Sequence, residues 1–225
     1  MTRSDAARTA LLDVAERLFA EHGISDVSDR RIAEVAGQKN HSAVRYHFGG
    51  REGLLCTLVE RHAVAVAAQR LSLLEQSESL VGDVRALVLP VTANLAELPT
   101  PSWRARFLAR AFYHPETAPL FRDTSRTSLA DRSIGTSLLS RMSALDPGVA
   151  RGRLSLMMRL VLTSCADVEG AADRDGADPR WPEVGDFLVD ALAGMLTGPS
   201  TQTSRYPDVD WASTQWSEVH GAPSV

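Results

Sequence analysis

SDRRIAEVAGQKNHSAVRYHF, residues 28–48, is the stretch whose reading decides the fold. Ser28 can accept a hydrogen bond from the first free N–H groups of a helix. Ile32 with Val35 and Ala36 gives that helix one apolar face, and Gly37 suits the left-handed residue that ends it. After the turn, Val44 and Phe48 stand four apart and anchor a second helix, which leaves Ser42, Ala43, Arg45, Tyr46 and His47 on its other faces. Two short amphipathic helices joined by a tight turn, the second turning polar and basic groups outward, predict a helix-turn-helix whose second helix can lie in a DNA major groove.

The charge distribution points the same way. The whole chain is acidic, with a formal net charge of −4 and a pI of about 5.9, which excludes a generally basic nucleic-acid coat. Between Arg30 and Arg51, however, Arg30, Arg31, Lys39, Arg45 and Arg51 face a single acid, Glu34. A concentrated patch of this kind is what phosphate neutralisation requires.

Upstream, Leu11, Val14, Ala15 and Leu18 recur at helical spacing and predict a helix over Ala7 to His22, closed by Gly23 and packed across the helix-turn-helix pair. Downstream, Gly49 and Gly50 break the chain, and Arg51 opens a long helix to about Leu74. Further helical patterns cover Val81 to Leu98, where Pro90 is expected to kink or split the helix, and Ser102 to Tyr113. One or two helices are expected in Thr117 to Leu145, then one each in Val149 to about Val168 and Trp181 to Leu196. The polar run GAADRDGADPR, residues 170–180, reads as a surface linker. No stretch alternates as a strand does. At 225 residues and 44% hydrophobic, size does not limit the core.

Cys56 and Cys165 lie far apart without metal-ligand spacing and are expected as buried core thiols. The N-terminal residues lack a hydrophobic signal region and no run approaches the ~20 apolar residues of a membrane span, so a soluble cytoplasmic protein with no membrane partner is expected. No Gly-Xaa-Ser-Xaa-Gly elbow, His-Glu-Xaa-Xaa-His pair, phosphate-binding glycine loop or carboxylate cluster is present. No catalytic residues, metal or cofactor are therefore expected.

The amphipathic first helix ending in EHG, the SDRRIAEVAG helix, and YHF followed by Gly-Gly-Arg-Glu-Gly-Leu-Leu together resemble the TetR family of transcriptional regulators over roughly residues 8 to 55. The resemblance implies an all-α fold: a three-helix helix-turn-helix DNA-binding domain at 1–50 and a larger helical effector-binding and dimerisation domain at 51–198. The tail at 199–225, with Trp211 and Trp216, is then mobile or docked. It implies a homodimer that represses by occupying double-stranded operator DNA and releases it when an unknown small-molecule effector binds. Ser28 and Arg30 match family positions at the start of the second helix that often touch phosphate. Tyr46 and His47 match the aromatic-His pair of the recognition helix, and Arg51 the basic residue opening the fourth helix. Two departures stand out: Arg45 occupies a position where the family commonly has tyrosine, and the turn QKNHSA is one residue longer than usual.

Candidate DNA contacts are accordingly Ser28, Arg30, Arg31, Lys39, Asn40, His41, Ser42, Arg45, Tyr46, His47 and Arg51. Arg45 can pair with guanine O6 and N7 or simply touch phosphate, and both roles stay open. An effector pocket is expected around Trp103, Phe107, Arg110, Tyr113, Phe121 and Met158, a stripe that equally suits plain core. The apolar stripe Val184, Phe187, Leu188, Ala191, Leu192 and Met195 is the expected dimer surface. The competing reading from another class is a helical protein-interaction module whose helix-turn-helix no longer reads DNA.

Overall fold

The 3.6-residue apolar period becomes ten α-helices in the computed structural model, which describes residues 3–200; these residues include no β-strand. The helices are α1 (Arg3–His22), α2 (Asp29–Val35), α3 (Ala43–Phe48), α4 (Arg51–Glu75), α5 (Leu80–Ala96), α6 (Arg104–Tyr113), α7 (Ala118–Thr127), α8 (Leu129–Arg141), α9 (Pro147–Asp175) and α10 (Trp181–Thr197). None of them is long and apolar enough to cross a membrane. The expected tail lies outside the described residues from position 201 onward.

The first three helices form the head. Ser28 caps α2 by accepting from the Arg31 N–H at 3.2 Å, and Gly37 adopts φ +68° just beyond its end. Leu11, Ala15 and Phe19 of α1, Ile32 of α2 and Val44 of α3 are all buried together. Three short helices enclose little interior. The same cluster therefore continues into Leu54, Leu55 and Leu58 of α4 and into Phe107, Leu108 and Ala111 of α6.

The second cluster centres on α5, which packs against α4, α8 and α10. Pro90 does not split α5, which runs unbroken through it. An interior proline costs about 3 kcal/mol. Val84, Val88, Val91 and Leu95 are buried on the same helix, and each contributes about 1.5–3 kcal/mol on burial, enough to outweigh that loss. Close approach to α10 is built in at Gly185, where a Cβ would stand 2.6 Å from Thr92 Oγ1.

The expected linker at 170–180 is half helix. α9 continues to Asp175 because Glu169 and Asp173, one turn apart, are both held by Arg106, at 3.2 and 3.0 Å. Glu169 also accepts from the Ala105 and Arg106 N–H groups, satisfying free donors at the start of α6. Gly176, φ +62°, ends the helix. Of the two cysteines, Cys165 is buried and its thiol is pushed up to about 12 by burial, then by Glu169. Cys56 is only half-buried, because its position on α4 faces away from the cluster; its S–H donates to Glu60.

Candidate nucleic-acid interface

The outer surface of the head is made by the end of one short helix, the turn after it and the helix that follows. Asn40 Oδ1 accepts from the Ser42 N–H at 2.9 Å, closing the turn that launches α3. Ala43 and Val44 point inward, whereas Ser42, Arg45 and Tyr46 are exposed, Tyr46 at 78%. Tyr46 stands edge-on to His47, ring centroids 4.9 Å apart, and His47 is half-buried beside Phe48. Lys39, Asn40 and His41 project from the turn, and Arg30 and Arg31 from the first turn of α2.

Glu34 is the acid of this surface. Arg30 Nε donates to it at 2.8 Å and His41 approaches it at 3.9 Å. The Arg30 hydrogen bond, followed by the weaker pull of Arg30 and His41, holds its carboxyl below the usual range. Arg31, Lys39 and Arg45 remain as exposed cations around α3.

Of the eleven expected contacts, Ser28, Arg30, Arg31, Lys39, Asn40, His41, Ser42, Arg45 and Tyr46 are exposed and His47 is half-buried, whereas Arg51 turns inward. Its guanidinium donates to the carbonyl of Val27 at 2.9 Å, to Asp29 at 3.2 Å and to the carbonyl of Ile24. It also lies over the Phe19 ring and 3.4 Å from Glu116. With its donors committed to the protein, Arg51 clasps α4 to the α1–α2 loop and to the turn between α6 and α7. The clasp is reinforced by Ser25, whose Oγ is 2.8 Å from His114 Nε2.

Arg8 stands outside the contacts expected from the sequence. It is exposed one turn before Leu11 on α1, with its guanidinium 5.0 Å from the Phe48 ring at the end of α3. The joint between α3 and α4 is equally tight: a Cβ on Gly53 would stand 1.9 Å from the Phe48 carbonyl oxygen, so only glycine fits there.

The expected effector stripe divides. Phe107 is fully buried and stacks on Phe19 at 6.1 Å, Trp103 lies under the Arg17 guanidinium, and Arg110 rests beside Gly23. Tyr113 is half-exposed beneath Arg159. Trp103, Phe107 and Arg110 thus meet α1 and the residue that ends it, whereas Tyr113 meets α9. Phe121 and Met158 do line a small cavity, with His62, Arg70 and Asp131. The expected dimer stripe divides too. Leu188 and Leu192 are 4% and 2% exposed within the chain's own core, and Val184 and Met195 pack against it. Phe187 and Ala191 face outward, Phe187 at 70%.

A family model described as bacterial regulatory proteins, tetR family, matches residues 11–56. The HTH-type transcriptional repressor AcnR of Corynebacterium glutamicum is 38% identical over 61 residues, 27% of this chain and 32% of that protein. The match thus spans about a third of the length of that relative. An HTH-type transcriptional regulator of Mycobacterium tuberculosis is 24% identical over 187 residues, 83% of this chain and 86% of that protein. Among solved structures, a TetR family transcription regulator from Marinobacter aquaeolei VT8 superposes with a TM-score of 0.59 at 18% identity, covering 84% of this chain and 96% of the other. Mycobacterium smegmatis AmtR gives 0.56 at 23% identity, covering 89% and 88%.

Proposed function

We propose, from the premise that this chain belongs to the TetR family of bacterial regulatory proteins, that it binds double-stranded operator DNA as a homodimer and represses transcription until a small-molecule effector enters its C-terminal helices. The observation that carries the reading is the row Ser42, Arg45 and Tyr46, exposed on α3 and flanked by Arg31 and Lys39 inside an acidic protein. An arginine at that place can reach base edges, while its neighbours neutralise phosphates and fix the register. Repression is favoured by the head's similarity to AcnR, which is named as a repressor.

Arg45→Ala is expected to cost about 1–3 kcal/mol on the preferred duplex and little on random DNA, whereas Lys39→Ala weakens all duplexes alike and lowers the salt slope by about 1. Anisotropy titrations across a salt series, on a duplex selected from random DNA, measure both. Equal losses for Arg45→Ala on the two duplexes would remove its base contact, and salt-independent binding would reject DNA reading altogether.

The dimer is supported by apolar side chains left uncovered on the last two helices: Phe187 on α10, with Leu156 and Leu160 on α9 at 46% and 38% exposure. Phe187→Asp is expected to convert a dimer to monomer in light scattering at micromolar concentration. A variant that stays dimeric would place the interface elsewhere.

A further inference from the structure

α4, α5, α7, α8 and α9 enclose a cavity of about 50 Å³. Leu87, Val91, Phe121 and Val161 make most of its wall apolar, and His62, Arg70 and Asp131 give it one polar edge. Arg70 and His62 are 5% and 8% exposed. Arg70 Nη1 donates to Asp131 at 2.5 Å and Nη2 reaches the Leu87 carbonyl at 3.4 Å, yet Arg70 Nε and His62 Nδ1 have no hydrogen-bond partner among the described residues. Unmet polar groups in a buried wall are costly, so this edge favours a guest that brings a hydrogen-bonding oxygen to it.

The charges select the guest. Arg70 and Asp131 already neutralise each other. Burial, then the nearby Arg70 and Arg104, hold the His62 imidazole down to about 3, so it is uncharged at neutral pH. An entering anion would stand uncompensated beside Asp131, and a cation beside Arg70; either brings a desolvation cost that no free counter-charge offsets. Size adds a second limit: at roughly 10–15 Å³ for each water-sized group, the void holds only a few heavy atoms.

We infer that this cavity binds a small neutral organic molecule with an apolar body of a few carbons and one carbonyl or hydroxyl oxygen directed to the His62–Arg70–Asp131 edge. This rests on the effector reading above and adds the chemistry of the ligand. Thr124 and Ser125 at the rim belong to α7, whose preceding turn carries His114 and Glu116 to the head.

Calorimetric titration of the full-length protein with 2-butanone, 2-butanol, butyrate and butylammonium tests it. The ketone and the alcohol are expected to bind at least about tenfold more tightly than either ion, a gap of ~1.4 kcal/mol. Ala63→Leu, which fills the void, should weaken the ketone by about tenfold or more. Arg70→Met/Asp131→Leu, which removes the polar edge without stranding a charge, should do the same. Tightest binding by butyrate or butylammonium, no binding by any probe because the void holds only water, or an affinity unchanged in a folded Ala63→Leu or in the double variant would each overturn the inference. The effector reading fails separately. If 2-butanone binds and operator DNA stays bound, the ligand class stands without that reading. If a charged metabolite releases the operator and Ala63→Leu abolishes the release, the reading stands and the class is wrong.

Discussion

Arg104→Met is expected to destabilise the protein by about 3–5 kcal/mol, the cost of leaving a buried carboxylate with only Arg61, 3.9 Å away, as a counter-charge. Arg104 Nε donates to both oxygens of Glu16 at 2.9 Å, and the two residues are 4% and 8% exposed. The pair ties α6 to α1, so the same change should loosen the head as well as lower the urea midpoint. The attraction does not fully repay the burial. Burial raises the Glu16 pKa above its usual value, and Arg104 offsets only part of that rise. Glu16→Leu/Arg104→Met should therefore recover most of the lost stability, since an apolar pair avoids both desolvation costs. A double variant as unstable as the single one would show that the ion pair itself, rather than the stranded charge, carries the energy.

Acidification should expose a second weak point at His62. Burial is the largest cause of its depressed pKa of about 3, with repulsion from Arg70 and Arg104 behind it. The unfolded chain takes up a proton near pH 6.5, and the folded chain does not until about pH 3. Between those values the unfolded state holds one more proton, so stability falls as pH falls, by about 1.4 kcal/mol per unit and about 4–5 kcal/mol in all. Urea midpoints at pH 7, 5.5 and 4 should therefore converge for the wild type and His62→Leu. The variant begins lower at pH 7 and declines less. Parallel decline of the two proteins would mean that His62 accepts its proton in the folded state.

Local patterns were legible in the sequence, and long-range neighbours were not. Gly37, Ser28 and the apolar spacing of α1 to α3 specify conformations within a few residues, and these elements formed where expected. Pro90 does not split α5, because its penalty is local while its compensation comes from helices far away in sequence. The 170–180 run is similar: its polar composition resembles a loop, but Arg106, more than sixty residues earlier, holds Glu169 and Asp173 in helical register. Periodicity locates an apolar face without saying what covers it. Leu188 and Leu192 could thus be read as a dimer seam although they fill the chain's own core. Arg51 shows the same limit for a charge. A basic residue beside a helix-turn-helix suggests phosphate, and only the fold reveals the carbonyls of Ile24 and Val27 in its reach. The polar edge of the cavity had no signature at all, since His62, Arg70 and Asp131 are ordinary residues until α4 and α8 meet.

Gly53 has a mechanical consequence. With no clearance between α3 and the first turn of α4, the two cannot slide past one another, and Arg51 pins the same turn to the α1–α2 loop. α4 then behaves as a stiff rod rigidly attached to the head at one end, with Arg70 about 25 Å away along its axis at 1.5 Å per residue. A rotation of about 5° imposed at the far end of that ~25 Å arm would carry the head by about 2 Å. That displacement is several times the roughly 0.5 Å range over which a hydrogen bond to a base edge holds. The absence of one methyl group thus makes the position of the head sensitive to small changes in packing deep in the body.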